Sequence, residues 1–193
     1  MKKSNRSNVD PFIVMDVMEA ARKAEESGRK IIHMEVGPGT AAPRSAKNIL
    51  SKDLQNNILG YTVSLGLPDL RNRISKLYGE WYNLDLNPER VIVTTGSSGA
   101  FILSFATLFD AGDRVGIGSP GYPSYRQILK AQNLVAVDIQ TELENKFQPI
   151  ADDIIKNNLN GLLVASPANP TGSMLDKNSL KKLMECSKDN NVS

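Results

Sequence analysis

From residue 90 onward, short apolar runs alternate with longer stretches in which apolar residues have helical spacing. Each apolar run is rich in branched side chains and predicts a strand, and each stretch after it predicts a helix. The predicted strands lie at 90–95, 114–118, 135–139 and 161–165. Strands that alternate with helices form a mostly parallel sheet through crossover connections. The pattern therefore predicts an α/β fold with crossover helices.

The residues before this sheet are expected to include an N-terminal helical arm. Asp10 and Pro11 suit the start of a helix, since Asp caps a helix N-terminus and Pro fits the first turn. Gly28 suits its end. The elements predicted after it are a strand at 30–36, a helix within 42–57 and a helix that begins at Pro68.

The segment Ser-Pro-Ala-Asn-Pro-Thr-Gly at 166–172 follows the last predicted strand. In open α/β sheets, ligands bind beyond the carboxyl ends of the strands, so Asn169 is placed where a ligand could contact it. Pro170 restricts the backbone of the turn and Gly172 allows it to close. The alternative is a strand-to-helix turn without a ligand, because Asn, Pro and Gly are ordinary turn residues.

A second strand end carries Gly96-Ser97-Ser98-Gly99 ahead of an apolar helical stretch. The start of a helix offers unpaired N–H groups and the positive end of its dipole, and the serines add hydroxyl donors. This combination predicts a phosphate site. The alternative is an ordinary serine cap. A general nucleotide-binding domain is disfavoured, because the segment lacks the Gly-x-Gly-x-x-Gly pattern.

A third strand end continues into Pro-Gly-Tyr-Pro at 120–123. Pro120 and Pro123 stiffen this turn and hold Tyr122 at the strand end, where its ring could stack on a planar heterocycle. The alternative is a Tyr122 ring that packs on a neighbouring loop. Phosphate donors, an aromatic ring and an amide at successive strand ends together suit a phosphorylated aromatic cofactor.

These segments together resemble the class I and II aminotransferases of fold type I, which use pyridoxal 5'-phosphate (PLP). The resemblance extends from about residue 10 to residue 193, and its blocks follow the order found in the family. The blocks are residues 60–71, 94–100, 120–125 and 169–172. The resemblance implies the large domain of that family, incomplete, with an N-terminal helical arm.

The resemblance implies a role in binding PLP for each of five residues. Gly96, Ser97 and Ser98 would hold the phosphate. Tyr122 would stack on the pyridine ring, and Asn169 would donate a hydrogen bond to the phenolic oxygen of the ring.

Further roles implied by the resemblance concern the substrate and a second subunit. Tyr61 would reach the phosphate of the partner subunit, which implies a homodimer. Gly37 and Gly39 would line the substrate pocket, although Gly-Pro-Gly is also an ordinary turn. The domains implied are the arm with part of the small domain at 1–60, and an incomplete PLP-binding large domain at 61–193.

The family forms its Schiff base with PLP on a lysine in a Ser-x-x-Lys setting, and we assign no lysine of this chain to that role. In the family, that lysine follows Asn-Pro-Thr-Gly, as do the aspartate on the pyridinium nitrogen and the arginine on the substrate carboxylate. Lys130, Lys181 and Lys182 fall within predicted helices. We therefore assign no catalytic residue and expect a fragment of an aminotransferase that is inactive alone.

The parent enzyme would transfer an amino group between an amino acid and a 2-oxo acid. The amino acid donor stays open among aspartate, aromatic and branched-chain classes. A PLP-dependent lyase or synthase of the same fold would show the same blocks, and a non-catalytic PLP-binding remnant is a further alternative.

Composition excludes several other classes of protein. A net charge of +2 gives no reason to expect a nucleic acid or an anionic membrane as a partner. The N-terminal residues lack the apolar stretch of a signal peptide or membrane span. Cys186 is the single cysteine, which suits a reducing cytoplasm. His33 is the single histidine, so no metal site is expected.

Overall fold

The computed structural model describes residues 2–37, 41–56 and 60–193. Its helices are α1 (Ile13–Glu26), α2 (Arg44–Asn56), α3 (Pro68–Tyr82), α4 (Gly96–Leu108), α5 (Ser124–Ala131), α6 (Ala151–Lys156) and α7 (Lys177–Asp189). Its strands are β1 (Arg114–Ser119), β2 (Val135–Gln140) and β3 (Gly161–Leu163). From β1 onward, strands and helices alternate as the apolar pattern predicts.

The three strands form a parallel sheet in the order β2-β1-β3. Helix α5 connects β1 to β2 and α6 lies between β2 and β3, so both connections cross over between parallel strands. In the register of the sheet, Ile117 of β1 lies beside Leu163 of β3, and Ser119 lies beside Gln140 of β2. The predicted α/β fold class is therefore confirmed, and the strand ends lie at one edge.

The core lies between β1 and the helices that flank it. Val115 and Ile117 are buried on β1, and Leu129 of α5 is completely buried against them. Phe105 of α4 and Leu134 complete this cluster. Burial of large apolar side chains contributes roughly 1.5–3 kcal/mol each. The cluster therefore fixes α4 and α5 on the central strand, whose end carries part of the candidate site.

The chain divides into two compact units, and the first of them is discontinuous in sequence. It contains the residues up to Phe12 and those from Gly96 onward, while the second is Ile13–Thr95. Within the first unit, Asp10 forms an ion pair with Lys130 of α5, with 2.5 Å between Oδ2 and Nζ. The predicted helix cap at Asp10 was wrong, because this ion pair engages the carboxylate and α1 begins at Ile13. The predicted domain boundary after residue 60 stays a prediction.

The strand predicted at 90–95 was wrong. Residues 88–90 form a 3-10 helix, and the residues after them pair with no strand in the part of the chain that the structure describes. The Arg71 side chain donates to the Val91 carbonyl at 2.8 Å, and the Val93 N–H donates to the Leu65 carbonyl at 3.0 Å. A β-branched run becomes a strand only where a neighbouring strand accepts its backbone groups.

The strand predicted at 30–36 was also wrong. His33 binds two carboxylates instead, with 2.6 Å from Nδ1 to Glu35 Oε1 and 2.9 Å from Nε2 to Glu25 Oε1. The hydrogen bond to Glu35, followed by that to Glu25, raises the pKa of His33 to about 9. Ile32 and Met34, which would form the apolar face of a strand, are exposed. The Met34 N–H donates to the Glu35 carboxylate at 2.9 Å, so a local side chain takes this backbone donor in place of a neighbouring strand.

Membrane-spanning helices and metal-binding clusters are both absent from the described residues. No helix among them has both the length and the apolar composition that crossing a membrane requires. No group of three or more His, Cys, Asp or Glu side chains in these residues is arranged to hold a metal ion.

Candidate functional site

The carboxyl ends of β1 and β3 lie side by side, and the two segments that follow them meet there. A small cavity of about 30 Å³ lies between these segments. Gly118 and Gly121 line it from the β1 side, Asn169 from the β3 side, and Gln148 and Pro149 from the segment before α6. The cavity is large enough for one water molecule. The structure thus brings two of the predicted site segments together at one edge of the sheet.

Asn169 lies in a hydrogen-bonded turn and keeps its own amide available. The Gly172 N–H donates to the Ala168 carbonyl at 2.7 Å, and the Ala168 N–H donates to the Ser173 carbonyl at 2.9 Å. The Asn169 side chain is exposed and has no hydrogen-bond partner among the described residues. An amide that the protein leaves unpaired at a strand end can donate to a ligand and accept from it.

Tyr122 is half-buried, and two other rings hold it nearly perpendicular to themselves. Its ring centroid lies 6.1 Å from that of Phe12 at an interplanar angle of 87°, and 5.3 Å from that of Tyr125 at 79°. Tyr125 in turn meets Phe101 of α4 at 5.0 Å. We call Phe12, Tyr122, Tyr125 and Phe101 the ring chain. Edge-to-face pairs of this kind restrict ring rotation, so the Tyr122 ring has a set orientation.

Burial raises the pKa of Tyr125, and the neighbouring Tyr122 hydroxyl raises it further. Tyr125 therefore stays a neutral phenol at physiological pH, and its ring serves packing. The ring chain also joins the Tyr122 segment to the second turn of α4, whose first turn carries the predicted phosphate donors.

The first turn of α4 has the features of an anion-binding site. Gly96 opens the helix with φ at +77°, a conformation that side-chain-bearing residues rarely adopt. Among the residues that the structure describes, none has an atom within 4 Å of the place that a Cβ of Gly96 would take. Ser97 and Ser98 are exposed, and their hydroxyls have no partner in the described part of the chain. The helix has no acidic residue in its first turn to neutralise its positive end.

This donor set fits the phosphate of PLP. The N–H groups of Ser97, Ser98 and Gly99 have no acceptor within the helix, since the first four N–H groups of any helix lack one. Two hydroxyl donors stand beside them on a helix of 13 residues. Donors without a competing carboxylate are what a phosphate dianion requires.

The remaining predicted residues lie outside the unit that holds these groups. Tyr61 belongs to the second unit, where its side chain is fully exposed. Gly37 also belongs to the second unit, and no atom of the described residues lies within 4 Å of the place that a Cβ of Gly37 would take. Gly39 lies outside the described residues. Their predicted roles stay predictions.

Two residues of the site went unrecognised in the sequence. Phe12 holds the Tyr122 ring although 110 positions separate them, and it was assigned to the first turn of a helix. Gln148 is 3% exposed and donates hydrogen bonds to the stem of the Asn169 turn. Only the segment Phe-Gln-Pro ahead of a helix marks Gln148 in the sequence, and it does not show that the amide is buried.

Comparison with known families gives a match over most of the chain. The family model described as aminotransferase class I and II matches residues 34–193. Those residues include Gly37, Gly39 and Tyr61 as well as every predicted cofactor contact.

Individual proteins agree with the family match. Valine–pyruvate aminotransferase of Mycobacterium tuberculosis is 42% identical over 173 residues, which cover 88% of this chain and 45% of the relative. A solved aminotransferase structure from the same organism has a TM-score of 0.92 at 38% identity, covering 100% of this chain and 50% of that one.

A second solved protein, from Silicibacter pomeroyi and provisionally assigned as an aminotransferase, is 59% identical with a TM-score of 0.87. The match covers 100% of this chain and 50% of the Silicibacter pomeroyi protein. The chain thus spans about half the length of the relatives that it matches.

Proposed function

The chain belongs to the family of class I and II aminotransferases, and from this premise we propose that the protein containing it is a PLP-dependent aminotransferase. The proposed reaction moves an amino group from an amino acid to a 2-oxo acid. The contribution of this chain is to bind PLP and to orient it. The observation that carries the proposal is the first turn of α4, where Gly96 opens a helix beside two serine hydroxyls that have no partner among the described residues.

The phosphate of PLP would anchor the cofactor at this turn. Backbone N–H groups and the Ser97 and Ser98 hydroxyls would donate to its oxygens, and the helix dipole would favour its negative charge. Gly96 contributes by its backbone conformation, because φ at +77° turns the chain into the helix without a side chain in front of the donors.

Two other residues would set the position of the ring. Tyr122 would present the face of its ring to the pyridine, since the ring chain already fixes its orientation. Asn169 would donate a hydrogen bond from its amide to the phenolic oxygen of the ring and thereby hold negative charge there. When bound, PLP supplies the electron sink that makes the Cα–H bond of an amino acid acidic enough to break.

The second subunit and the substrate belong to the same proposal. Tyr61 is fully exposed, as a side chain that serves a neighbouring subunit in a homodimer would be before assembly. Gly37, with Gly39, would contribute backbone to the substrate pocket. A branched-chain donor is the first candidate, because the relative named for valine and pyruvate is 42% identical to this chain. The single free cysteine, Cys186, supports a cytoplasmic location.

Binding of PLP by the chain tests the cofactor assignment. We expect PLP to bind at least tenfold more tightly than pyridoxal, which has the same ring without the phosphate. The double variant Ser97→Ala/Ser98→Ala should remove most of that difference. Thr107→Ala at the opposite end of α4 is the matched control, because its hydroxyl bonds within the helix to the Leu103 carbonyl. Equal affinities for PLP and pyridoxal would overturn the assignment.

Activity is tested in the whole protein that contains this chain. Valine with pyruvate and aspartate with 2-oxoglutarate should be assayed side by side, with release of the 2-oxo product measured. We expect amino transfer from valine. Release of ammonia or of a shortened product without a new amino acid would favour a lyase and contradict the proposed transfer.

A further inference from the structure

Gln148 is the one buried polar side chain in the described part of the chain, with 3% of its surface exposed. It lies between β2 and α6, in neither of the segments that carry Tyr122 and Asn169. Burying an amide costs free energy unless its hydrogen-bonding groups find partners. The partners that Gln148 finds therefore indicate why an amide occupies this position.

The Gln148 amide nitrogen donates to both ends of the turn that carries Asn169. Its Nε2 lies 3.1 Å from the Ala165 carbonyl oxygen and 3.0 Å from the Ser173 carbonyl oxygen. The Ser173 hydroxyl is a further acceptor at 3.2 Å. Ala165 precedes the turn and Ser173 follows it, so one NH₂ group holds the two ends of the turn together.

We call the hydrogen bonds from Gln148 to Ala165 and Ser173 the clamp. Asn169 depends on this clamp for its position, because its own side chain has no partner among the described residues. The bonds inside the turn, from the N–H groups of Gly172 and Ala168, fix its internal shape. They do not attach the turn to the rest of the protein. Gln148 makes that attachment, and it also lines the small cavity beside Asn169.

We infer that Gln148 is a positioning residue for PLP: by clamping Ala165 and Ser173, it holds the Asn169 amide where the cofactor ring binds. This inference rests on the proposed function for its ligand. Gln148 itself makes no contact with the ring in this scheme and acts through Asn169.

A double-mutant cycle in the 193-residue chain tests the inference. Gln148→Met keeps the length of the side chain but removes the donors, and Asn169→Ala removes the group that Gln148 is inferred to position. We expect each single variant to weaken PLP binding about tenfold, because Asn169→Ala removes the hydrogen bond to the charged phenolic oxygen and Gln148→Met displaces the amide that makes it. The double variant should bind PLP as tightly as Asn169→Ala does, because Gln148 acts through Asn169.

A control variant separates the loss of Asn169 positioning from a general loss of stability. Ile139→Val trims a buried residue on β2 and should lower stability without weakening PLP binding. Hydrogen exchange gives a second readout: Gln148→Met should speed exchange of the Ala168 and Gly172 amides about tenfold, and Ile139→Val should leave them unchanged relative to neighbouring amides.

Additive losses of PLP affinity in the double variant would overturn the role of Gln148 and leave the proposed function intact. Unchanged hydrogen exchange of the Ala168 and Gly172 amides in Gln148→Met would have the same meaning. Failure of the unsubstituted chain to bind PLP would overturn the proposed function together with this inference. The two failures are therefore distinguishable.

Discussion

The ring of Phe12 meets the ring of Tyr122 at 87°, with 6.1 Å between their centroids, although the two residues are 110 positions apart. Phe12 thereby ties the segment at the start of the chain to the ring proposed to stack on PLP. The Asp10–Lys130 ion pair makes a second attachment of the same segment, to α5. This attachment holds the pKa of Asp10 below its ordinary value, through the hydrogen bond and the charge of Lys130.

Coupling between Phe12 and Tyr122 should be measurable. Phe12→Leu and Tyr122→Leu, alone and combined, should give a coupling free energy of about 0.5–1.5 kcal/mol in urea unfolding. Phe12→Leu should also weaken PLP binding, because the Tyr122 ring loses one of its two supports. Phe109→Leu is a matched control, since Phe109 packs on Phe105 outside the ring chain. Strictly additive effects on stability would show that the two rings do not depend on each other.

Asn169 should be nearly dispensable for folding. Its side chain is exposed and has no partner in the described residues, so Asn169→Ala should change the free energy of unfolding by less than about 0.5 kcal/mol. The same variant should weaken PLP binding about tenfold. Urea unfolding and PLP titration of one preparation measure both quantities. A large loss of stability would mean that the side chain holds the turn rather than a ligand.

Gly161 should not tolerate a side chain. A Cβ at this position in β3 would lie 2.2 Å from Cζ and 2.4 Å from Cε1 of the Phe109 ring. Gly161→Ala should therefore destabilise the protein by about 1–3 kcal/mol, as overpacking does. At Gly118, in β1, the nearest atom to a Cβ is 3.7 Å away, so Gly118→Ala is the control and should fold normally. Equal stability of the two variants would show that the Phe109 ring moves aside freely.

The bonds of His33 to Glu25 and Glu35 should make stability depend on pH. The pKa of His33 is about 9 in the folded protein, above its ordinary value of 6.5, so the folded state binds the proton more tightly. The stabilisation is fully present below pH 6.5 and should be lost as the pH rises through about 9. Urea unfolding at intervals from about pH 6 to about pH 10 should show this decline.

His33→Gln gives the control for that measurement, because Gln can keep one hydrogen bond but carries no titrating proton. The variant should lack the decline between pH 6.5 and about 9. An identical pH profile in the two proteins would assign the decline to other groups. The direct check is the His33 ring signal in NMR, which should titrate near pH 9.

Much of the sheet could be predicted because its strands carry their own signal. The runs at 114–118, 135–139 and 161–165 are rich in Val, Ile, Leu, Ala and Gly, with Arg114 and Asp138 as their charged residues, and turns bound each of them. Helices α5 and α7 follow the same logic, because apolar residues at helical spacing mark them in the sequence. The pattern that predicts each of these elements lies within its own segment, although β1 pairs with strands that are distant in sequence, as Arg114 with Val135 and Val115 with Gly161.

Apart from the strand predicted at 30–36, the errors came from structure that depends on partners distant in sequence. The run at 90–95 has the composition of a strand, but its carbonyl and N–H groups bond to Arg71 and Leu65. Gln148 could not be identified, because burial of one amide depends on β3 and the turn after it folding around the residue. The roles predicted for Tyr122 and Asn169 stay predictions, and the hydrogen bonds from Gln148 that hold the Asn169 turn were not predicted.

The discontinuous first unit has a consequence for synthesis of the protein. Asp10 leaves the ribosome 120 residues ahead of its partner Lys130. At roughly 5–20 residues per second, the wait lasts about 6–24 s, far longer than a loop of this size needs to close. During that interval the apolar Phe12 has no native partner, and its segment is open to chaperones. The contacts of Asp10 with Lys130 and of Phe12 with Tyr122 therefore form only after α5 has emerged. Their formation is a late event in cotranslational folding.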